Sequence, residues 1–337
     1  MGQGGDLDFP KTDVYMSEMD VIGPNRKPRR IGVLPIDGFA LMSYASTVEP
    51  FRAANLLSNR VLYDIVNIAV SGDAARSSGA AFVRGDAQVG DPLTLDYLFV
   101  VAGGDPVAFQ DRKVLNWIAA MARKGARLGG VSGGPVILAR AGLMEGRRMT
   151  VHWEHAAALA EISPNLAIER TLYVIDRDRV TCAGGTAAMD LMHALIARHQ
   201  GAPFARLVSD WFMHTEIRPS GGPQRGGLVA RVGTTNAAIL DAVAAMESHV
   251  ADPLTLAQLA LISGVSPRQL NRLFSDRLGQ PVMRYYRELR LDKAQNLLRN
   301  SPMAITEIAL ACGFANSSHF SRAYHGKYRA TPSLTRR

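Results

Sequence analysis

Cysteine is nearly missing from this 337-residue chain: there are two, Cys182 and Cys312, far apart in sequence. Distant single thiols build neither a disulfide framework nor a metal cluster, so both are expected as small buried packing residues. No His, Cys and Asp spacing resembles a zinc motif, and no metal or cofactor is expected. Long apolar runs are absent as well. No stretch approaches the ~18 apolar residues that a membrane-spanning helix needs. The first residues carry no hydrophobic signal region, so a cytoplasmic location is expected. Residues 1–28 mix Gly, Asp, Pro and charge without periodicity and are expected to be a disordered arm. Bulky side chains are lacking again at Pro219-Ser220-Gly221-Gly222-Pro223-Gln224-Arg225-Gly226-Gly227, which reads as part of a flexible linker over 219–234. At 47% apolar residues the chain can fill two cores, expected at 29–218 and 235–337.

Charge is lopsided. From Pro219 to the end there are 15 Lys and Arg against 7 Asp and Glu, a net of +8 that equals the formal charge of the whole chain. Basicity confined to one segment is the footprint of phosphate contact, because releasing DNA counterions supplies most sequence-independent affinity.

The same segment contains a repeat. Leu259, Ala260 and Gly264 recur 49 residues later as Ile308, Ala309 and Gly313, and Leu270, Arg272 and Phe274 recur 50 later as Phe320, Arg322 and Tyr324. Each copy reads as an apolar helix, a Gly-centred turn and a second helix. Gly264 and Gly313 fit a left-handed position that a Cβ would strain, and Ala260 and Ala309 are small where two helices cross. Helical spacing buries one face of each second helix. It leaves Arg268, Gln269, Asn271 and Arg272 outward in the first copy and Asn316, Ser318, His319 and Arg322 in the second. These are donors and acceptors suited to base edges and phosphates. Between the copies, residues 281–299 read as one long helix bounded by Pro281 and Pro302, a rod that would set two reading helices about one turn of DNA, roughly 34 Å, apart.

This region resembles the tandem helix-turn-helix domain of the AraC/XylS family of transcription regulators. The resemblance rests on Gly264-Val265-Ser266-Pro267-Arg268-Gln269-Leu270, Arg290-Leu291-Asp292-Lys293-Ala294, Ile308-Ala309-Leu310-Ala311-Cys312-Gly313-Phe314 and Ser318-His319-Phe320-Ser321-Arg322. It implies double-stranded promoter DNA as a partner. The chain departs from the family at Tyr328-Arg329, where Phe-Gly is usual.

In the first half, β-rich runs at 30–35, 63–70, 97–102 and 126–131 alternate with helical stretches such as 43–57 and 135–141. The expected fold is α/β: a mostly parallel sheet with helices on both faces, followed by an all-α C-terminal domain. Ligands in such sheets bind at the carboxyl ends of the strands. There, Gly130-Val131-Ser132-Gly133-Gly134 satisfies the G-x-S-x-G nucleophile elbow in a strand-turn-helix context. Taken alone it suggests a serine hydrolase, although no oxyanion motif precedes it and the available Asp and His residues have no distinctive spacing.

A wider match exists. Leu128-Gly129-Gly130-Val131-Ser132-Gly133-Gly134, Thr150-Val151-His152-Trp153-Glu154, residues 180–190 and Thr47-Val48-Glu49-Pro50-Phe51-Arg52 resemble the class I glutamine amidotransferase-like superfamily. The branch is the PfpI type, which is also found fused to AraC-type domains. The resemblance implies a flavodoxin-like sheet and places Ser132 at the position of a reactive Cys, Glu49 at that of a carboxylate and His152 at that of a His. Serine for cysteine argues against amidase chemistry, since a hydroxyl needs a well-placed base that a thiol of lowered pKa does not. It leaves a pocket. Relatives of this architecture look like sensors of quaternary amines, amino acids and their derivatives. Phe39, Tyr44 and Trp153 could hold such a cation over an aromatic face, with Glu49 as counter-charge. The expected protein is a homodimeric, ligand-responsive DNA binder with a catalytically silent sensor. A serine hydrolase or amidase using Ser132, or an architectural DNA binder without effector, are the alternatives.

Overall fold

A computed structural model of the chain describes residues 27–301 and 303–336. The arm expected at 1–28 lies outside the described residues except at its last two positions. The first half runs β1 (Arg29–Pro35), α1 (Leu41–Ser58), β2 (Tyr63–Ala69), β3 (Ala74–Arg76), β4 (Phe82–Arg84), β5 (Ala87–Gln88), β6 (Tyr97–Ala102), α2 (Arg112–Arg123) and β7 (Arg127–Ser132). It continues through α3 (Gly134–Arg140), β8 (Arg148–Thr150), α4 (Trp153–Ile162), β9 (Ala167–Glu169), β10 (Tyr173–Asp176), β11 (Arg179–Cys182), α5 (Ala187–Gln200) and α6 (Ala202–Trp211). Seven strands form one sheet in the order β10-β11-β7-β6-β1-β2-β5, with every pair parallel except β10 with β11.

Apolar runs dictate this arrangement. Every residue of β6 is buried, which a sheet covered on both faces requires. One face carries a core that includes Leu98, Val100, Trp117, Ile118 and Leu138, and the other a core that includes Val33, Phe51, Phe99, Leu191 and Met192. Strand order reverses between β1 and β6, so the loops leaving them part and open a crevice at their carboxyl ends.

The segment expected as a flexible linker is corrected on one point: its first part is laid against the sheet. The Leu172 N–H donates to Ser220 O at 3.0 Å. Gln224 Nε2 donates to Thr150 Oγ1, Val151 O and Thr171 O at 2.8–3.0 Å. Backbone groups and one long amide thus supply the anchorage that side-chain volume could not. A short helix α7 (Leu228–Val232) follows.

The second half is helical: α8 (Ala237–Ser248), α9 (Leu256–Ile262), α10 (Pro267–Leu278), α11 (Val282–Asn300), α12 (Ile305–Ala311), α13 (Ser317–Tyr328) and α14 (Pro332–Thr335). Starts are set by caps. Thr255, Ser266 and Asn316 accept backbone N–H bonds at the heads of α9, α10 and α13, and Pro267 opens α10 where no N–H is needed. Helix α11 belongs to two cores. Val282 and Tyr286 pack with Leu259, Leu270 and Phe274, while Leu291, Ala294 and Leu298 pack with Ile308, Phe320 and Tyr324. Its 19 residues make a rod about 28 Å long at ~1.5 Å per residue. Helix α4 of the first half packs against α11, and Ala157 joins the second helical core.

Candidate effector site and nucleic-acid interface

A cavity of about 530 Å³ opens where β6 and β7 end, lined by Ala40, Met42, Ser43, Gly103, Gly104, Asp105, Ser132, His152, Glu154, His155, Gly185 and Arg299. Glycine shapes the turn that carries Ser132 into it. A Cβ on Gly134 would stand 1.9 Å from Val100 O, and one on Gly130 2.7 Å from Pro135 N, so the strand-to-helix turn closes only with these two residues bare. Between them Ser132 adopts φ +60°, an unfavourable conformation for a residue with a Cβ that costs roughly 1–3 kcal/mol and persists where surrounding structure enforces it. Ser132 is buried, and its carbonyl accepts the His152 N–H at 3.2 Å.

The three residues expected as nucleophile, carboxylate and His do not form a relay. Ser132 and His152 share the cavity, but His152 Nδ1 accepts the Glu154 N–H at 3.3 Å and caps α4, and among the described residues no hydrogen bond joins the ring to Ser132 Oγ. Burial lowers the His152 pKa, which favours the neutral ring; burial and the neighbouring His152 lower that of His155 to about 4. Glu49 lies outside the cavity lining, half exposed and paired with Arg52 one turn along α1. Facing Ser132 instead is Ser43, whose Oγ accepts the Gly185 N–H at 2.7 Å. A Cβ on Gly184 would meet both, at 2.5 Å from Ser132 Cβ and 2.7 Å from Ser43 Oγ.

The aromatic residues expected around a cation are also placed apart from the lining. Phe39 is fully buried in the core. Tyr44 packs on it at 5.4 Å between ring centroids and donates its hydroxyl to Asn67 Oδ1. Trp153, 44% exposed, already carries the Arg225 guanidinium over its ring. Sequence reasoning missed Ser43, Asp105, Glu154, His155 and Arg299. The Gly103-Gly104-Asp105 strand end was a visible signal for Asp105, whereas nothing local marks Arg299.

On the helical half, Gly264 and Gly313 adopt φ +64° and +73°, the left-handed turn geometry that the repeat requires. Leu270 and Phe274 bury one face of α10, and Phe320 and Tyr324 one face of α13. Arg268, Gln269 and Arg272 are exposed on α10, and Asn316, Ser318, His319 and Arg322 at the head of and along α13. Asn271 is half-buried: its Oδ1 accepts the Val282 N–H and ties α10 to the first turn of α11. Arg290 of α11 donates to Gly313 O at 2.8 Å and stacks 4.8 Å over Phe314, fastening the second turn to the rod.

Both halves have known counterparts. Residues 29–198 match the DJ-1/PfpI family and residues 259–337 a helix-turn-helix domain family. The chain is 42% identical to the HTH-type transcriptional regulator GlxA of Rhizobium meliloti, over 93% of this chain and 97% of that protein. It is 40% identical to the HTH-type transcriptional regulator CdhR of Pseudomonas aeruginosa, over 90% of each. Among solved structures, an AraC family transcriptional regulator from Pseudomonas putida superposes with a TM-score of 0.51 at 26% identity, over 55% of this chain and all of that one. The chain belongs to the HTH-type transcriptional regulators that join a DJ-1/PfpI domain to an AraC-type DNA-binding domain.

Proposed function

We propose that the chain regulates transcription as a cytoplasmic homodimer that senses a small nitrogen-containing metabolite, a quaternary amine or amino-acid derivative, in the cavity beside Ser132. The observation that carries this reading is the cavity itself, which holds two carboxylates, Asp105 and Glu154, against an elbow whose serine is hydrogen-bonded to no base among the described residues. Carboxylates favour an ammonium group, and a hydroxyl without a base is a poor nucleophile. The same reading takes 29–218 as the sensor and 235–337 as the DNA-binding domain. Reading of DNA falls to Arg268, Gln269 and Arg272 in one groove segment and to Asn316, Ser318, His319 and Arg322 in the next, with Asn271 chiefly holding α10 to α11. Effector binding shifts the population of sensor arrangements and with it the presentation of the reading helices.

The test is a thermal-shift screen of amines and amino-acid derivatives on the full chain, paired with turnover of model esters and amides. Stabilisation by a metabolite without Ser132-dependent hydrolysis supports a sensor. Ser132-dependent turnover at useful rates would instead support a hydrolase.

A further inference from the structure

One wall of the cavity does not come from the sensor. Arg299, in the last turn of α11, lines it together with Ser132, Asp105, Glu154 and His155. We propose that Arg299 binds a carboxylate of the effector, so that a zwitterionic ligand bridges the sensor and the DNA-reading half; this rests on the cavity being the effector site.

Charge on the lining selects such a ligand. Asp105 and Glu154 are acidic, His155 is buried and His152 half-buried, and Arg299 is the one permanent cation among the lining residues. It makes no ion pair among the described residues. An amine alone would satisfy the carboxylates and leave the guanidinium unused, and a plain anion would meet two like charges. A molecule with an ammonium at one end and a carboxylate at the other meets both, and a guanidinium offers the planar fork that a carboxylate matches bidentately.

The position of Arg299 gives the contact a consequence. Leu297 and Leu298, just before it in the chain, are buried in the core that holds α12 and α13. The head of α4 lines the same cavity, and further along the helix Ala157 packs against that core. Holding Arg299 from within the cavity therefore fixes the end of the rod against α4, and with it the second reading head. Linkage then requires DNA to change effector affinity by the same factor as effector changes DNA affinity.

The experiment uses the full chain and a calorimetric panel of L-amino acids and N-methylated amino acids, each matched with the amine that lacks its carboxylate. Wild type is expected to prefer at least one zwitterion over its matched amine. Arg299→Gln is expected to lose about tenfold or more in affinity for that zwitterion and little for the amine, and Arg299→Lys to recover part of the loss. Ala40→Phe, which fills the cavity from the head of α1, separates binding in the cavity from the Arg299 bridge. Zwitterion binding abolished by Ala40→Phe but unchanged in Arg299→Gln overturns the bridge and leaves the effector site standing. Binding that survives Ala40→Phe overturns both, and absence of any carboxylate preference across the panel overturns the bridge.

Discussion

Arg225 lies over the face of Trp153, its guanidinium carbon 4.7 Å from the ring centroid. The pair joins the glycine-rich connection to the first residue of α4, the helix that both lines the cavity and packs on α11. Arg225→Ala is expected to loosen that connection: subtilisin should cut faster within 219–227, while global stability falls by no more than about 1 kcal/mol, the worth of an exposed cation–π contact. Unchanged cleavage would mean that Gln224 and the backbone bonds at Ser220 hold the segment without it.

The two turn glycines differ in surroundings. Both have positive φ, but a Cβ at Gly264 meets open space, whereas one at Gly313 stands 2.5 Å from Pro253 Cγ and 2.6 Å from Val250 O. Gly264→Ala should cost about 1–2 kcal/mol from the left-handed conformation alone. Gly313→Ala should cost clearly more, because a backbone carbonyl has to move as well. Urea denaturation of the two variants decides; equal losses would show that the second turn has room that its geometry denies.

Arg329 takes the left-handed C-cap of α13 at φ +55°, where the AraC/XylS pattern usually has glycine. Tyr328, the other departure, donates its hydroxyl to Asp292 of α11 and so gains a bond that phenylalanine could not make. Arg329→Gly should therefore raise stability by about 0.5–1 kcal/mol, relief of strain exceeding the added freedom of the unfolded chain. A lower melting temperature in the variant would refute this.

Acid should weaken the fold before carboxylates titrate. Burial lowers the pKa of His155 and of His199 from 6.5 to about 4. Between those values the unfolded chain binds protons that the folded chain refuses, so stability is full above about pH 6.5 and falls as pH drops toward 4. His155→Gln should flatten that slope in urea titrations across the window. An identical slope in the variant would place the acid sensitivity elsewhere.

Much of this architecture is legible in the chain. The runs at 63–70 and 97–102 are strands because buried parallel strands are nearly all apolar, and the elbow announces itself because only glycine tolerates α3 and β6 so close to Ser132. Strands of two to four residues, such as β3, β5 and β9, are too short to show a period. Site residues were harder to place. Motif position aligned Glu49 with a catalytic carboxylate, but Arg52 on the next turn holds it outside. Helical spacing put Asn271 on the reading face, but the first N–H of α11 holds its side chain. Arg299 enters the cavity through a contact between halves, which no local pattern encodes.

On the function proposed above, two reading heads on one rod address neighbouring grooves of one duplex. Selection of a random duplex pool by the full chain at fixed salt tests it most directly. The expected outcome is two blocks of enriched bases about 10 base pairs apart, one erased by Arg272→Ala and the other by Arg322→Ala, with both variants folded. Enrichment of no sequence, or of blocks that neither substitution alters, would contradict it.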